Sequence, residues 1–541
     1  MLQDQDLLSI QEVRAKVAQA YAAWTRYRSV SQSQADAIVE AMAAAARANA
    51  QRLAERAVEE TGYGNARDKL AKNMLAADLL PKRMRGMRTL GVLRELPDEK
   101  IVEIGVPMGV VAAILPTTNP TSTAIYKTLI ALKAGNGIVI APHPRARACT
   151  CETVAILAEA AQKAGAPEGL IQCINTSTME GTTELMRHRR TAVILSTGGA
   201  GIVRAAYSSG KPAYGVGPGN VPVLVDISAN IPAAIAKIVE GKSFDYGTLC
   251  SSEQTLVAEN SIREPILAAL KANRAHCCDI PQTAALARLL ITRNFGINPD
   301  CVGQSPEKIA KMAGFEVPKN TSILTVEIEG IGKEHPLSAE KLSPVLSLYF
   351  VSDFSAALDA CEAVLRFAGL GHTCGIYATD DARIRSFALR MPAYRVIANS
   401  PTPTGSTGIS TNLFPAMTLG CGAVAGNSTS DNIGPLHLIN IKRLAYAVDA
   451  SPMPSEIDPK NIDRAQIVSA VERFLAARGV VRKETAPPEP PEPAITDFVC
   501  EHDVRQAIAQ SKKIFIGPKT IVTPSARDLA GQHDILILTK K

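Results

Sequence analysis

Between Ile101 and Asn399 the chain alternates short apolar runs with stretches of helical spacing, and this alternation limits the fold to very few classes. The runs VPMGVVAAILP, GNGIVIAP, GLIQCIN, TAVILST and VPVLVDI are separated by helical patterns such as TSTAIYKTLIALKA and CETVAILAEAAQKAG. Apolar strands joined by amphipathic helices predict a parallel sheet covered on both faces. A second series, SLYFVSD, DFSAALDACEAVLRFAG, TCGIYATD, DARIRSFALRMP and AYRVIAN, predicts a second α/β domain. The polar stretch SFDYGTLCSSEQT, from Ser243 to Thr255, falls near the junction and carries Cys250 just before a strand-like run, EQTLVAE. Ahead of both series, Leu7 to Met87 is rich in Ala, Arg, Glu and Gln at helical spacing, a helical entry segment. With 541 residues, two or three packed units are expected.

Composition narrows the function. Hydrophobic residues make up 46 % and charged residues 20 %, which is globular. The net charge of +6 comes from scattered Lys and Arg with one Trp for stacking, which argues against nucleic-acid binding. Apolar stretches are short and broken by Gly and Pro, so no membrane span is expected. Met1 to Ile10 lacks the basic-then-apolar order of a signal peptide. The 11 cysteines are odd in number and irregular in spacing, so they read as reduced cytosolic thiols. Cys149 and Cys151, and the adjacent His276, Cys277 and Cys278, lack a second ligand pair at zinc-site spacing, so no metal is expected.

Two strand ends carry chemistry. In ILPTTNPTSTAIYK, Asn119 ends a strand and precedes a helix; its amide can donate to a developing oxyanion, or it can be a turn residue with a helix cap. In TAVILSTGGAGIVRAA, Thr197, Gly198, Gly199, Ala200 and Gly201 join strand to helix, where a pyrophosphate can approach the helix N-terminus. The motif is not GxGxxG, and a bare Gly-rich turn fits it equally.

Taken in order, PTTNP, STGGAG, YGVGPGNVPV, TLCSSEQT and EKLSPVLSLY resemble the motifs of the aldehyde dehydrogenase superfamily. PHPRA, GVGPGN and the cysteine followed by SSEQ look like its CoA-acylating branch, and the resemblance covers roughly Met1 to Ala450. It implies a Rossmann-type cofactor domain, an α/β catalytic domain and a small oligomerisation arm, here near 92–106. Cys250 would attack an aldehyde as thiolate, with the Asn119 amide and the Cys250 N–H holding the oxyanion and NAD taking the hydride. Glu340 aligns with the glutamate that holds the nicotinamide ribose; otherwise it is an ordinary surface carboxylate. Thr117, Thr118, Pro142, His143, Thr197, Gly198, Gly199, Gly201 and Gly217 fall at the cofactor positions. Arg145 or Arg147 would meet CoA phosphates, and His372 in GLGHTCGIY would carry a proton or serve structurally.

One absence matters more than any of these positions. Hydrolytic members carry a Glu in the loop that reads YGVGPGN here, and that Glu activates water. The equivalent place is close to Val216, between Gly215 and Gly217, so no general base is expected there and the thioester should await a thiol, coenzyme A.

The expected domains are 1–225 for the entry helices and NAD/CoA-binding part, 226–450 for the catalytic part, and 451–541 for an extension. Within the extension, an amphipathic helix over 461–479 is followed by a Pro-rich linker over 484–494 and a tail over 495–541 with a helix at DVRQAIAQ, a strand at KIFI and a helix start at TPSARDLA. A helix on such a tether resembles the encapsulation peptides of bacterial microcompartment cargo, and the tail resembles elements of other microcompartment proteins. A cytoplasmic enzyme inside a microcompartment is thus expected, a dimer or tetramer contacting shell or cargo proteins through the extension. Its substrate is expected to be propionaldehyde before acetaldehyde. The competing readings are a hydrolytic NAD(P)-dependent aldehyde dehydrogenase and a catalytically silent scaffold subunit.

Overall fold

The computed structural model describes residues 4–292, 296–448, 464–477 and 494–539. Residues 1–448 form one compact unit and 449–541 another.

The entry segment is helical as its spacing predicts, over Gln5–Tyr27, Gln32–Thr61 and Ala66–Met74. Polar caps set the starts: Asp4 accepts from the N–H of Asp6 and Leu7, and Ser31 and Gln34 form a reciprocal capping box. Gly62, at φ +69°, ends the second helix in the left-handed conformation.

Strands β1 (Gly91–Leu96) and β2 (Ile101–Pro107) form an antiparallel arm. The first parallel sheet comprises β3 (Val110–Ile114), β4 (Gly137–Ala141), β5 (Ile171–Cys173), β6 (Thr191–Thr197) and β7 (Ala213–Val216), in the order β5-β4-β3-β6-β7. The order reverses between β3 and β6, so their carboxyl ends open a crevice for a ligand. The second sheet comprises β8 (Val221–Val225), β9 (Glu253–Glu259), β10 (Ala275–Cys277), β11 (Ile323–Glu327), β12 (Val345–Val351), β13 (Gly371–Tyr377) and β14 (Ala393–Ala398). Its order is β10-β11-β12-β9-β8-β13-β14, parallel throughout. Because β8 pairs with β9 and β13, the sheets divide before residue 221 rather than at 225. The chain then returns: β15 (Ile439–Ala445) pairs antiparallel with β2 and completes the arm.

One core joins the entry helices, the first sheet and the returning segment. Met42 and Leu75 from the entry helices, Leu129 from helix Pro120–Lys133, Ile138 from β4, and Leu419 and Ile433 from the returning segment pack together. Each fully buried aliphatic side chain of this kind contributes roughly 1.5–3 kcal/mol.

In the second unit, helix Arg464–Ala477 covers the described part of the expected amphipathic helix; residues 451–463 and 478–493, including nearly all of the expected linker, lie outside the described residues. Strands β16 (Thr496–Val499), β17 (Ile514–Val522) and β18 (Leu536–Leu538) make a parallel sheet with helices Glu501–Ala509 and Pro524–His533. The expected helices and central strand are present, and β16 and β18 add to them.

Candidate active site

Cys250 lies in the turn between helix Ile231–Ser243 and β9, where the chain passes through an unusual segment. Asp245 and Tyr246 take φ +47° and +52°, a conformation costing non-glycine residues about 1–3 kcal/mol each. Polar contacts hold it: the Asp245 N–H donates to Asp68 at 2.7 Å, and Asp245 Oδ1 accepts from the Asn65 N–H at 2.9 Å. Gly64 must be glycine beside it, because a Cβ there would stand 1.9 Å from Asp245 Oδ1.

His372, the second residue of β13, reaches Cys250 from the neighbouring side, with Nε2 3.1 Å from Sγ. Its Nδ1 meets Thr373 Oγ1 at 2.9 Å. Behind it, buried Arg395 on β14 donates to the His372 carbonyl at 2.6 Å and the Gly420 carbonyl at 2.7 Å. Burial, with Arg395 adding its positive field, lowers the His372 pKa to about 3. Burial, followed by Glu340 and Cys421, pushes the Cys250 thiol up to about 12. At rest the two are a neutral thiol beside a neutral imidazole.

Asn119 occupies the N-cap position of helix Pro120–Lys133, but its side chain makes no cap bond. Its Oδ1 instead accepts from buried Lys72 Nζ, and its Nδ2 donates to Thr118 Oγ1 at 3.0 Å. The amide is therefore oriented rather than spent on the helix. Lys72 Nζ is also paired with Asp245 Oδ2, while Lys69 Nζ donates to Asp245 Oδ2 at 3.1 Å and to the Thr118 carbonyl at 3.0 Å.

Glu340 is 5 % exposed, so it is not a surface carboxylate; its Oε1 accepts from the Gly219 N–H at 3.3 Å. Burial raises its pKa to about 8 against the opposing pull of that N–H, Lys242 and Lys341. Gly219 closes the site: a Cβ there would lie 2.1 Å from the Cys250 carbonyl oxygen and 3.2 Å from the His372 ring. Val216 is buried at the end of β7 with glycine on either side, and no carboxylate occupies that position.

The expected cofactor residues gather along the carboxyl edge of the first sheet. Thr117 and Thr118 follow β3, Pro142 and His143 follow β4, and Thr197 with Gly198 closes β6 beside β3. Gly199 and Gly201 open helix Ala200–Tyr207, and a Cβ at either would meet nothing within 4 Å. Free space around backbone N–H groups suits a pyrophosphate, so these residues fit a dinucleotide. Gly217 is half-buried in the loop leading to Gly219. His143 has a local role: its Nδ1 accepts from the Arg145 N–H at 3.1 Å. Arg145 and Arg147 are exposed. Among the described residues no cluster of three metal-ligating side chains occurs, and no helix is long and apolar enough to cross a membrane.

Lys69, Lys72, Asp245 and Arg395 are the site residues that motif reading did not single out. The signal available was small: two lysines one helical turn apart in KLAKNM, both fully buried.

A Rossmann-type crevice meeting a half-buried cysteine and an oriented Asn amide defines a class, and the comparisons agree: the chain belongs to the aldehyde dehydrogenase family, whose model matches residues 4–278. Within it, the similarity runs to acylating members. The crystal structure of an acetylating aldehyde dehydrogenase from Geobacillus thermoglucosidasius is 48 % identical, with a TM-score of 0.82, covering 84 % of this chain and all of that one. The bifunctional aldehyde-alcohol dehydrogenase AdhE of Escherichia coli (strain K12) is 40 % identical over 442 residues, 81 % of this chain and 50 % of the relative. The chain thus spans about half the length of such curated relatives. The structure of a propionaldehyde dehydrogenase from the Clostridium phytofermentans fucose utilisation bacterial microcompartment is 27 % identical, with a TM-score of 0.73, covering 81 % and 98 %.

Proposed function

We propose that this chain oxidises a short-chain aldehyde to its acyl-CoA, with NAD as oxidant. Cys250 Sγ bonds to the aldehyde carbon as its proton passes to His372 Nε2, which requires that nitrogen to be unprotonated and Nδ1–H to face Thr373. The remaining Asn119 N–H and the Cys250 N–H receive the oxygen's charge. NAD, held by the carboxyl edge of the first sheet and by Glu340, supplies the hydride acceptor. The resulting Cys250 thioester is released by a CoA thiol.

The observation that carries this reading is the position of Val216 between glycines, where a water-activating carboxylate would have to sit. Glu340 offers the one specific support for hydrolysis, since its field reaches Cys250 and its pKa stands near 8. The test is NADH formation with acetaldehyde and with propionaldehyde, with and without CoA, followed by mass analysis. CoA-dependent turnover to an acyl-CoA supports the reading; free acid formed equally without CoA sinks it. The acetylating relative at 48 % identity weighs for acetaldehyde, and the microcompartment relative at 27 % for propionaldehyde.

The exposed apolar residues Val92, Ile441 and Leu444 on the arm support a homo-oligomer, read out by light scattering. Helix Arg464–Ala477, with Ile467, Val468 and Val471 about half exposed, is the segment we assign to microcompartment targeting. A fluorescent protein carrying residues 449–541 should enter assembled shells, and uniform cellular fluorescence would reject the assignment.

A further inference from the structure

We propose that Lys72 is a positioning residue for the oxyanion site: its ammonium holds Asn119 Oδ1 and so turns the amide N–H groups away from itself, towards Thr118 Oγ1 and the reacting oxygen. The inference rests on the acylating reading above. An Asn side chain can normally rotate to exchange its oxygen and nitrogen, and an inverted amide would offer the oxyanion a lone pair in place of a donor. An ammonium has donors only, so the atom facing Lys72 Nζ must be the oxygen. Because the amide is planar, fixing Oδ1 fixes Nδ2; one of its two hydrogens goes to Thr118 Oγ1 and the other is left for a ligand.

Lys72 is itself held by groups that lead directly to the nucleophile. Its Nζ is paired with Asp245 Oδ2 and lies 3.3 Å from Thr248 Oγ1, two residues before Cys250. Burial lowers the Lys72 pKa to about 8, with Asp245 opposing, whereas Lys72 and Lys69 outweigh burial and hold Asp245 below the usual carboxylate range. The two charges sustain one another in a pocket that would expel either alone. The same contact thus ties helix Ala66–Met74 to the loop ending in Asn119, while Asp245 on its other side belongs to the turn that precedes Cys250.

A double-mutant cycle with Lys72→Met and Asn119→Ala tests this on CoA-dependent NADH formation. Losing an oxyanion donor costs about 10²–10³ in kcat, and a misoriented one should cost about 10–10², with KM within about twofold. If Lys72 acts through Asn119, the double variant is no slower than Asn119→Ala alone, within about twofold. Factors that multiply in the double variant, or an unchanged kcat in Lys72→Met, would overturn the proposal. Should Lys72→Met fail to fold, Lys72→Gln, whose neutral amide no longer dictates which Asn119 atom faces it, enters the same cycle with the same two outcomes. A wild-type enzyme without CoA-dependent turnover would instead remove the acylating reading itself.

Discussion

Cys250 and His372 touch at 3.1 Å, yet burial, with the charges around them, keeps both neutral. With the thiol raised to about 12, alkylation of Cys250 by iodoacetamide in the cofactor-free enzyme should be slow at pH 7 and still be rising at pH 10. A plateau below pH 8, followed by mass spectrometry of the labelled peptide, would contradict this. Glu340 is the largest cause after burial, but its own pKa of about 8 leaves it mainly protonated at pH 7. Glu340→Gln should therefore leave alkylation at pH 7 nearly unchanged and accelerate it above pH 8, where the wild-type carboxylate is charged. The variant should also raise KM for NAD if Glu340 holds the ribose. Equal acceleration at both pH values would mean that Glu340 is ionised throughout.

At the scale of elements, the site is held together by the ends of strands and the loops between them. Lys127, buried in helix Pro120–Lys133, donates to the carbonyls of Ile114 at 2.8 Å and Leu195 at 2.9 Å, joining β3 to β6 under the cofactor crevice. Lys127→Met should destabilise the protein by about 1–3 kcal/mol in urea unfolding, because two buried acceptors lose a donor. Gly219→Ala should cost stability, by about 1–3 kcal/mol, and also lose about 10²-fold in kcat, since its Cβ would displace the Cys250 carbonyl and the His372 ring. A Gly219→Ala enzyme with full kcat would show that the loop yields without moving the nucleophile. Asn119, Cys250 and the glycine turn at 198–201 were legible in the sequence because each is a strand-end or loop feature with a local pattern. Lys72, Asp245 and Arg395 were not: Lys72 meets Asn119 across 47 residues and Asp245 across 173, separations that spacing does not reveal. Strand β10 has three residues, Ala275–Cys277, too few to show a period, and β8 reads like a continuation of the first series although its partners are β9 and β13.

Over the whole molecule, the returning segment decides where the enzyme can be cut. β15 pairs with β2 from Ile439↔Pro107 through Ala445↔Ile101, so the arm is built from sequence ends more than 300 residues apart. Leu419, Ile433 and Leu438 also belong to the core shared with the entry helices. The second unit has its own small core, with Val499, Val504, Ala526 and Ile535 between its sheet and helices. A chain ended at residue 448 should therefore keep kcat for CoA-dependent NADH formation within about twofold of the full chain, since it retains every paired strand of the first unit. A chain ended at 438 loses β15, and with it the buried Ile439, and leaves one edge of β2 unpaired, so it should elute as aggregate or unfold at lower urea. If the chain ended at 448 lost activity while remaining folded, the second unit would have a part in catalysis that its separate core does not suggest. If the chain ended at 438 matched the full chain in both activity and oligomeric state, the arm could not be what joins the subunits.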